Sequence, residues 1–219
     1  MPTIGVIDDR ADARETLCRN INLEIEEEHN WSAIEHGPLA KIEDYPGWLH
    51  DAGIAVLVVD ERLQEQADAG EEPATYSGHE LVSYLRMRLP TLPLFMVTSH
   101  ADEDDLEGAE ADAEDVVQRE DFNKNPKIYV QRMLRAGRKF TEEFLAELAQ
   151  LSEIAERTAM GSATDADREK EKAIREKLTL ASPDGLSLSR QTWLGELDKE
   201  IKELGALSDK IHDRLSRKN

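Results

Sequence analysis

Cysteine is almost absent: Cys18 stands alone in 219 residues, so no internal disulfide can form. The N-terminus opens directly into an apolar strand, with no basic segment leading into an apolar one. Both features fit a reducing, cytoplasmic setting. No apolar run approaches the roughly 20 residues that cross a bilayer, so a membrane span is not expected. Basic residues are scarce where a nucleic-acid face would need them. Residues 1–125 carry 30 Asp and Glu against 9 Lys and Arg, a balance that repels phosphate backbones. Residues 126–219 carry 17 against 18, again without a basic patch or a helix-turn-helix pattern. The histidines His36, His50, His79 and His100 share no metal-ligand spacing, so structural or surface roles are expected for them. Internal repeats and Gly/Ser linkers are lacking as well.

What is present is acidic and periodic. The net charge is −20, with 39% hydrophobic and 34% charged residues, the composition of a globular chain with exposed helices. Short apolar runs alternate with helical patterns over the first 135 residues. Strands are expected at "TIGVI", "SAIEHG", "IAVLVV" and "PLFMVTS", with a weaker one at "EDVV". Helices are expected over residues 11–28, at "IEDYPGWLHDAG" (ended by Gly53) and at "GHELVSYLRMRL". Such alternation implies βαβ units, hence an α/β fold with a doubly wound, five-stranded parallel sheet. Residues 64–77 read as a long polar loop, and residues 101–115 as an acidic stretch short of large apolar side chains.

The remainder is almost entirely helix-forming. Asn125 and Pro126 suit the cap and first turn of a long helix over 126–158, in which Gly137 costs about 1 kcal/mol relative to alanine. Ser162 or Thr164 caps a following charged helix. After the "SPDG" turn signal, Leu194, Leu197, Ile201, Leu204, Ile211 and Leu215 approximate a heptad seam that suits either intramolecular packing or a homodimer. The organisation expected is a sheet domain over 1–135 and an all-α extension over 136–219.

Ligands of a parallel sheet gather at the carboxyl ends of its strands. Asp8, Asp9, Asp60, Thr98 and Ser99 all fall at expected strand ends. Three carboxylates brought together repel unless a cation is shared, and a hard ion such as Mg²⁺ prefers oxygen ligands. Such an arrangement can orient a phosphoryl donor and let one carboxylate act as nucleophile, forming an aspartyl-phosphate. Thr98 or Ser99 offers a hydroxyl, and Arg119 is the nearest cation to the developing charge.

These residues, in this order, resemble the receiver domain of two-component response regulators, whose flavodoxin-like sheet matches the one expected. "VIDDR" is similar to the acid pair after that family's first strand, and "VLVVDERL" to its phospho-acceptor strand. "SGHELVSYLR" is similar to its glycine and third helix, and "LPLFMVTS" to its fourth strand with the switch hydroxyl. The resemblance covers roughly residues 1–135. It implies that Asp60 accepts a phosphoryl group, and that Asp8, Asp9, Asp60 and the backbone carbonyl of Arg62 hold Mg²⁺. It also implies Thr98 as the hydroxyl and a phosphohistidine of a kinase or phosphotransfer protein as the donor. Output would pass by protein–protein contact or dimerisation through the tail, and the chain would not be an enzyme with a separate substrate. The sequence departs from the family where lysine then proline follow the last strand: here "VVQREDF" offers Arg119, Gln118 or Glu120. The position of the switch aromatic falls at Asp115, and the loop between Asp60 and Gly78 is about ten residues longer than is usual in the family. Those departures favour an alternative, a receiver-like scaffold that binds a partner without phosphorylation. A Mg²⁺-dependent phosphohydrolase fits less well, because Arg62 stands where such enzymes carry a second acid.

Overall fold

The computed structural model describes residues 1–25, 30–66, 73–99 and 111–180, with the side chains of 176–180 excepted. Five strands form one all-parallel sheet: β1 (Thr3–Ile7), β2 (Ser32–His36), β3 (Ile54–Val59), β4 (Leu94–Thr98) and β5 (Asp115–Gln118), in the order β2-β1-β3-β4-β5. The helices are α1 (Ala11–Glu24), α2 (Tyr45–Asp51), α3 (Gly78–Arg88), α4 (Arg119–Lys124), α5 (Pro126–Ala159) and α6 (Asp165–Leu180). The doubly wound sheet is therefore the architecture expected from the sequence, and the order reverses between β1 and β3.

The apolar strand runs reflect burial on both faces. Side chains alternate across a strand, so Ile4, Val6, Val56, Val58, Phe95 and Val97 enter one core layer with Leu17 and Ile21 of α1 and Val130 and Met133 of α5. Ile7, Leu57, Val59, Leu94 and Met96 enter the other, with Leu49 of α2 and Leu81 and Leu85 of α3. Trp31 belongs to the first layer, and Trp48 packs partly buried against the second. Cys18 lies buried in the first layer. Burial, with the carboxylate of Glu35 nearby, pushes its thiol up to about 11. Since the thiolate is the reactive form, alkylation by iodoacetamide at neutral pH is expected to be slow in the native protein and fast in denaturant. Equal rates in both would contradict this burial.

One helix is shorter than its pattern. Helix α1 ends at Glu24, where Ile25 turns to extended backbone and donates its N–H to Ile21 O. Ile25 still packs partly buried against the first layer, so the apolar spacing that extended the expectation to residue 28 reflects tertiary contact beyond the last helical turn.

Gly137 has a packing reason. A Cβ there would lie 2.4 Å from Trp31 Cη2 and 2.6 Å from Val56 Cγ2, so α5 packs tightly against the sheet at this point. Gly137→Ala gains about 1 kcal/mol of helix propensity, against an overpacking cost of about 1–3 kcal/mol. The net expectation is a loss of stability, read as a lower urea midpoint; an unchanged or higher midpoint would show that Trp31 yields freely.

The chain divides into two compact units, Met1–Glu142 and Glu143–Asn219. In the second, Leu151 of α5 and Ile174 of α6 pack together with Phe144 and Leu148 alongside. Of the two cap candidates, Thr164 is the one used: Asp167 N–H donates to Thr164 Oγ1 (3.2 Å), and Thr164 N–H donates back to Asp167 Oδ2 (2.9 Å). Asp167 also pairs with Arg157 (2.7 Å), and these contacts hold its carboxyl below the usual range. The "SPDG" turn and the heptad seam lie outside the described residues, as do residues 67–72 of the long loop and 100–110 of the acidic region.

Candidate functional site

The reversal of strand order places the ends of β1 and β3 side by side, and the three expected acids sit there. Asp8 and Asp9 follow β1. Asp60 follows β3, its N–H donating to Ile7 O at 2.9 Å and extending the ladder one residue past the strands. One carboxylate oxygen from each of Asp8, Asp9 and Asp60 lies within 4.8 Å of the other two. Asp8 and Asp9 are 1% and 2% exposed.

Backbone amides orient each acid. Asp8 Oδ1 accepts from Arg10 N–H (2.8 Å) and Asp60 Oδ2 from Arg62 N–H (3.2 Å). Asp9 Oδ2 accepts two, from Glu65 and Gln66 (both 2.8 Å), so the turn after Asp60 wraps back onto the β1 acids. Arg62 and Glu65 pair across that turn at 2.9 Å. Asp9 Oδ1 is buried and has no hydrogen-bond partner among the described residues.

Of the three residues weighed for the position after the last strand, Arg119 is the one that enters the site. It is the first residue of α4, and its Nη2 lies 2.6 Å from Asp8 Oδ2, 3.0 Å from Asp60 Oδ1 and 3.1 Å from Val97 O. Gln118 instead occupies the end of β5 beside Thr98 in the ladder, and Glu120 is exposed, 3.9 Å from Lys124. Thr98, at the end of β4, is fully buried, whereas Ser99 is exposed. Asp115 lies at the start of β5, paired with Arg132 at 2.7 Å.

Burial is the first cause raising the carboxyls of Asp8 and Asp9 above their usual value. Asp60 adds to it, and the contacts with Arg119 for Asp8, and with the loop amides for Asp9, only partly offset it. This crowded negative charge suits a hard divalent cation, and the unpartnered Asp9 Oδ1 provides a free ligand atom, so the donor set fits Mg²⁺.

A second pair escaped the sequence reading. Glu61 is 7% exposed and holds His79 twice: Oε1 lies 2.6 Å from His79 Nδ1, and Oε2 accepts the His79 backbone N–H at 3.0 Å. Burial raises the Glu61 carboxyl, with His79 opposing. The pair clips the Asp60 turn to the N-terminus of α3, which gives His79 the structural role expected for it. Each member directly follows a residue already singled out (Asp60 and Gly78), but nothing in a separation of 18 residues indicates contact.

No protein-family model and no curated protein matches the chain. Among solved structures it is similar to the receiver domain of NtrX from Brucella abortus, at 19% identity over 60% of this chain and 98% of that one (TM-score 0.45). It is also similar to the response regulator TrrA from Thermotoga maritima, solved in complex with Mg²⁺ and BeF, at 17% identity over 61% and 99% (TM-score 0.43). The non-phosphorylated HemR receiver domain from Leptospira biflexa matches at 18% identity over 61% and 94% (TM-score 0.44).

Proposed function

We propose that the chain is a phospho-accepting receiver. In this reading Asp60 takes a phosphoryl group from a phosphohistidine on a kinase or phosphotransfer protein, and the change is passed on by protein contact or dimerisation through the helical tail. The observation that carries it is the meeting of Asp8, Asp9 and Asp60 within 4.8 Å at the point where the strand order reverses, with Arg119 on two of them.

Mg²⁺, held by Asp8, Asp9, Asp60 and the backbone carbonyl of Arg62, would neutralise charge on the acids and on the incoming phosphoryl oxygens. The rest of the chemistry belongs to the side chains. A carboxylate oxygen of Asp60 attacks phosphorus, the bond to the donor imidazole breaks, and its electron pair stays on the imidazole nitrogen. The Arg62 amide orients Asp60 for that attack. Arg119 offers charge-assisted donors to the transferred group, as a planar fork in place of a compact ammonium. Thr98, at the next strand end, offers the hydroxyl. Water then cleaves the acyl phosphate slowly, so the chain turns over no separate substrate.

Incubation with Mg²⁺ and acetyl phosphate is expected to add one phosphoryl mass to the wild-type chain and none to Asp60→Ala. Equal gain by both would assign the acceptor elsewhere. A second reading, a scaffold that binds its partner unphosphorylated, is favoured by one observation: both Asp60 oxygens already accept hydrogen bonds. Full function of an Asp60→Ala strain would select it.

A further inference from the structure

We infer that Arg119 is a displaceable counter-ion that competes with the divalent cation for Asp8 and Asp60, so that metal entry requires the guanidinium to leave. The inference rests on the metal site proposed above. It follows from an account of the six carboxylate oxygens. Asp8 Oδ1, Asp60 Oδ2 and Asp9 Oδ2 are taken by backbone amides, which are fixed by the fold. Asp9 Oδ1 has no partner among the described residues. The other two, Asp8 Oδ2 and Asp60 Oδ1, are both held by one nitrogen, Arg119 Nη2.

A cation that shared those carboxylates would need the place this nitrogen occupies. One that reached only Asp9 Oδ1 would have a single carboxylate and a positive neighbour. Two full charges of one sign cannot occupy the gap together, since like charges at contact distance repel strongly in a partly buried site. The arginine also has a route out. Its side chain is 18% exposed and starts from the first turn of α4. Among the described residues its hydrogen bonds are all made through Nη2. Metal-free, the guanidinium thus relieves the repulsion that the acids would otherwise suffer, and metal binding is an exchange of one cation for another.

The test is a calorimetric titration of the full chain with Mg²⁺ for the wild type, Arg119→Met and Arg119→Lys, together with guanidinium ¹⁵N–¹H spectra of the wild type during the same titration. Removing the competing contact is expected to tighten Mg²⁺ binding in Arg119→Met by about tenfold or more, equivalent to about 1.4 kcal/mol. In the wild type, the Arg119 Nε–Hε signal is expected to shift in step with Mg²⁺ saturation, reporting release. Equal affinities in wild type and Arg119→Met, or an Arg119 signal unmoved at saturation, would overturn the inference while leaving the metal site standing. If neither wild type nor variant binds Mg²⁺, the metal site fails and the inference with it. Should Arg119→Met misfold, the wild-type spectra decide alone.

Discussion

Gly78→Ala is expected to destabilise the protein by about 3 kcal/mol or more, above the usual range for overpacking, because the obstruction is backbone. A Cβ at position 78 would stand 2.1 Å from Asp60 O and 2.9 Å from Asp60 C and Glu61 Cα. Neither side can retreat cheaply. Gly78 N–H donates to Glu61 O at 2.8 Å, and the start of α3 is fixed by a reciprocal cap in which Ser77 N–H donates to Glu80 Oε2 at 2.8 Å. On the other side, Asp60 is held in the ladder by Ile7 O. The strain therefore falls on the Asp60 turn itself, and Mg²⁺ binding should weaken along with stability. Urea denaturation with and without Mg²⁺ measures both. A Gly78→Ala variant within 0.5 kcal/mol of wild type, a scatter ordinary for surface changes, would show that the two backbones do not approach as described.

Asp9→Asn is expected to have opposite effects on stability and on metal binding. Metal-free, it should stabilise the protein by about 1–2 kcal/mol, by removing a buried charge with one unpartnered oxygen. The amide oxygen can still accept from the Glu65 and Gln66 N–H groups, so the turn stays anchored. Mg²⁺ binding should be lost, because the one oxygen of the Asp8, Asp9 and Asp60 carboxylates that has no partner among the described residues goes with the charge. The pH dependence follows from the raised carboxyl of Asp9. Between the ordinary value of 3.8 and its raised folded value, native Asp9 keeps a proton that the unfolded chain has released. Native stability therefore falls as pH rises through that window, and the cost is fully present above it. The stability difference between Asp9→Asn and wild type should accordingly be greatest at neutral pH and shrink as pH falls toward 3.8. A difference that is flat with pH, or Asp9→Asn that is less stable than wild type in chelator, would refute the assignment of a costly buried charge. If Asp9→Asn kept wild-type affinity for Mg²⁺, Asp9 would not be a ligand.

The two predictions separate what a residue does for the fold from what it does for the site. Gly78 serves both, since the close packing of α3 against the Asp60 turn holds the fold and places the acid. Asp9 is opposed to the fold: its burial costs stability, and a cation bound there would offset that cost. Arg119 lies between these cases, because it pairs with Asp8 and Asp60 and, in the exchange inferred above, would yield to the metal.

The sheet and its acids were legible in the amino-acid sequence because their signals are local. Strands buried on both faces must be continuously apolar, and "AVLVV" followed by Asp60 states both the strand and its exit. The serine before α3, the proline at the start of α5 and the threonine before α6 are likewise set by backbone chemistry within a few residues, whereas the glycine at position 78 answers to the distant Asp60 turn. Only the tertiary structure decided which of three consecutive residues enters the site. Gln118, Arg119 and Glu120 are consecutive, and the choice depends on where β5 stops and α4 turns, a matter of one residue of register. The Glu61–His79 clip, the wrap of Glu65 and Gln66 onto Asp9, and the demand for glycine at position 137 share that origin. Each joins residues distant in the chain through a contact that no spacing encodes, because sequence periodicity records which face of an element is buried, not what lies against it.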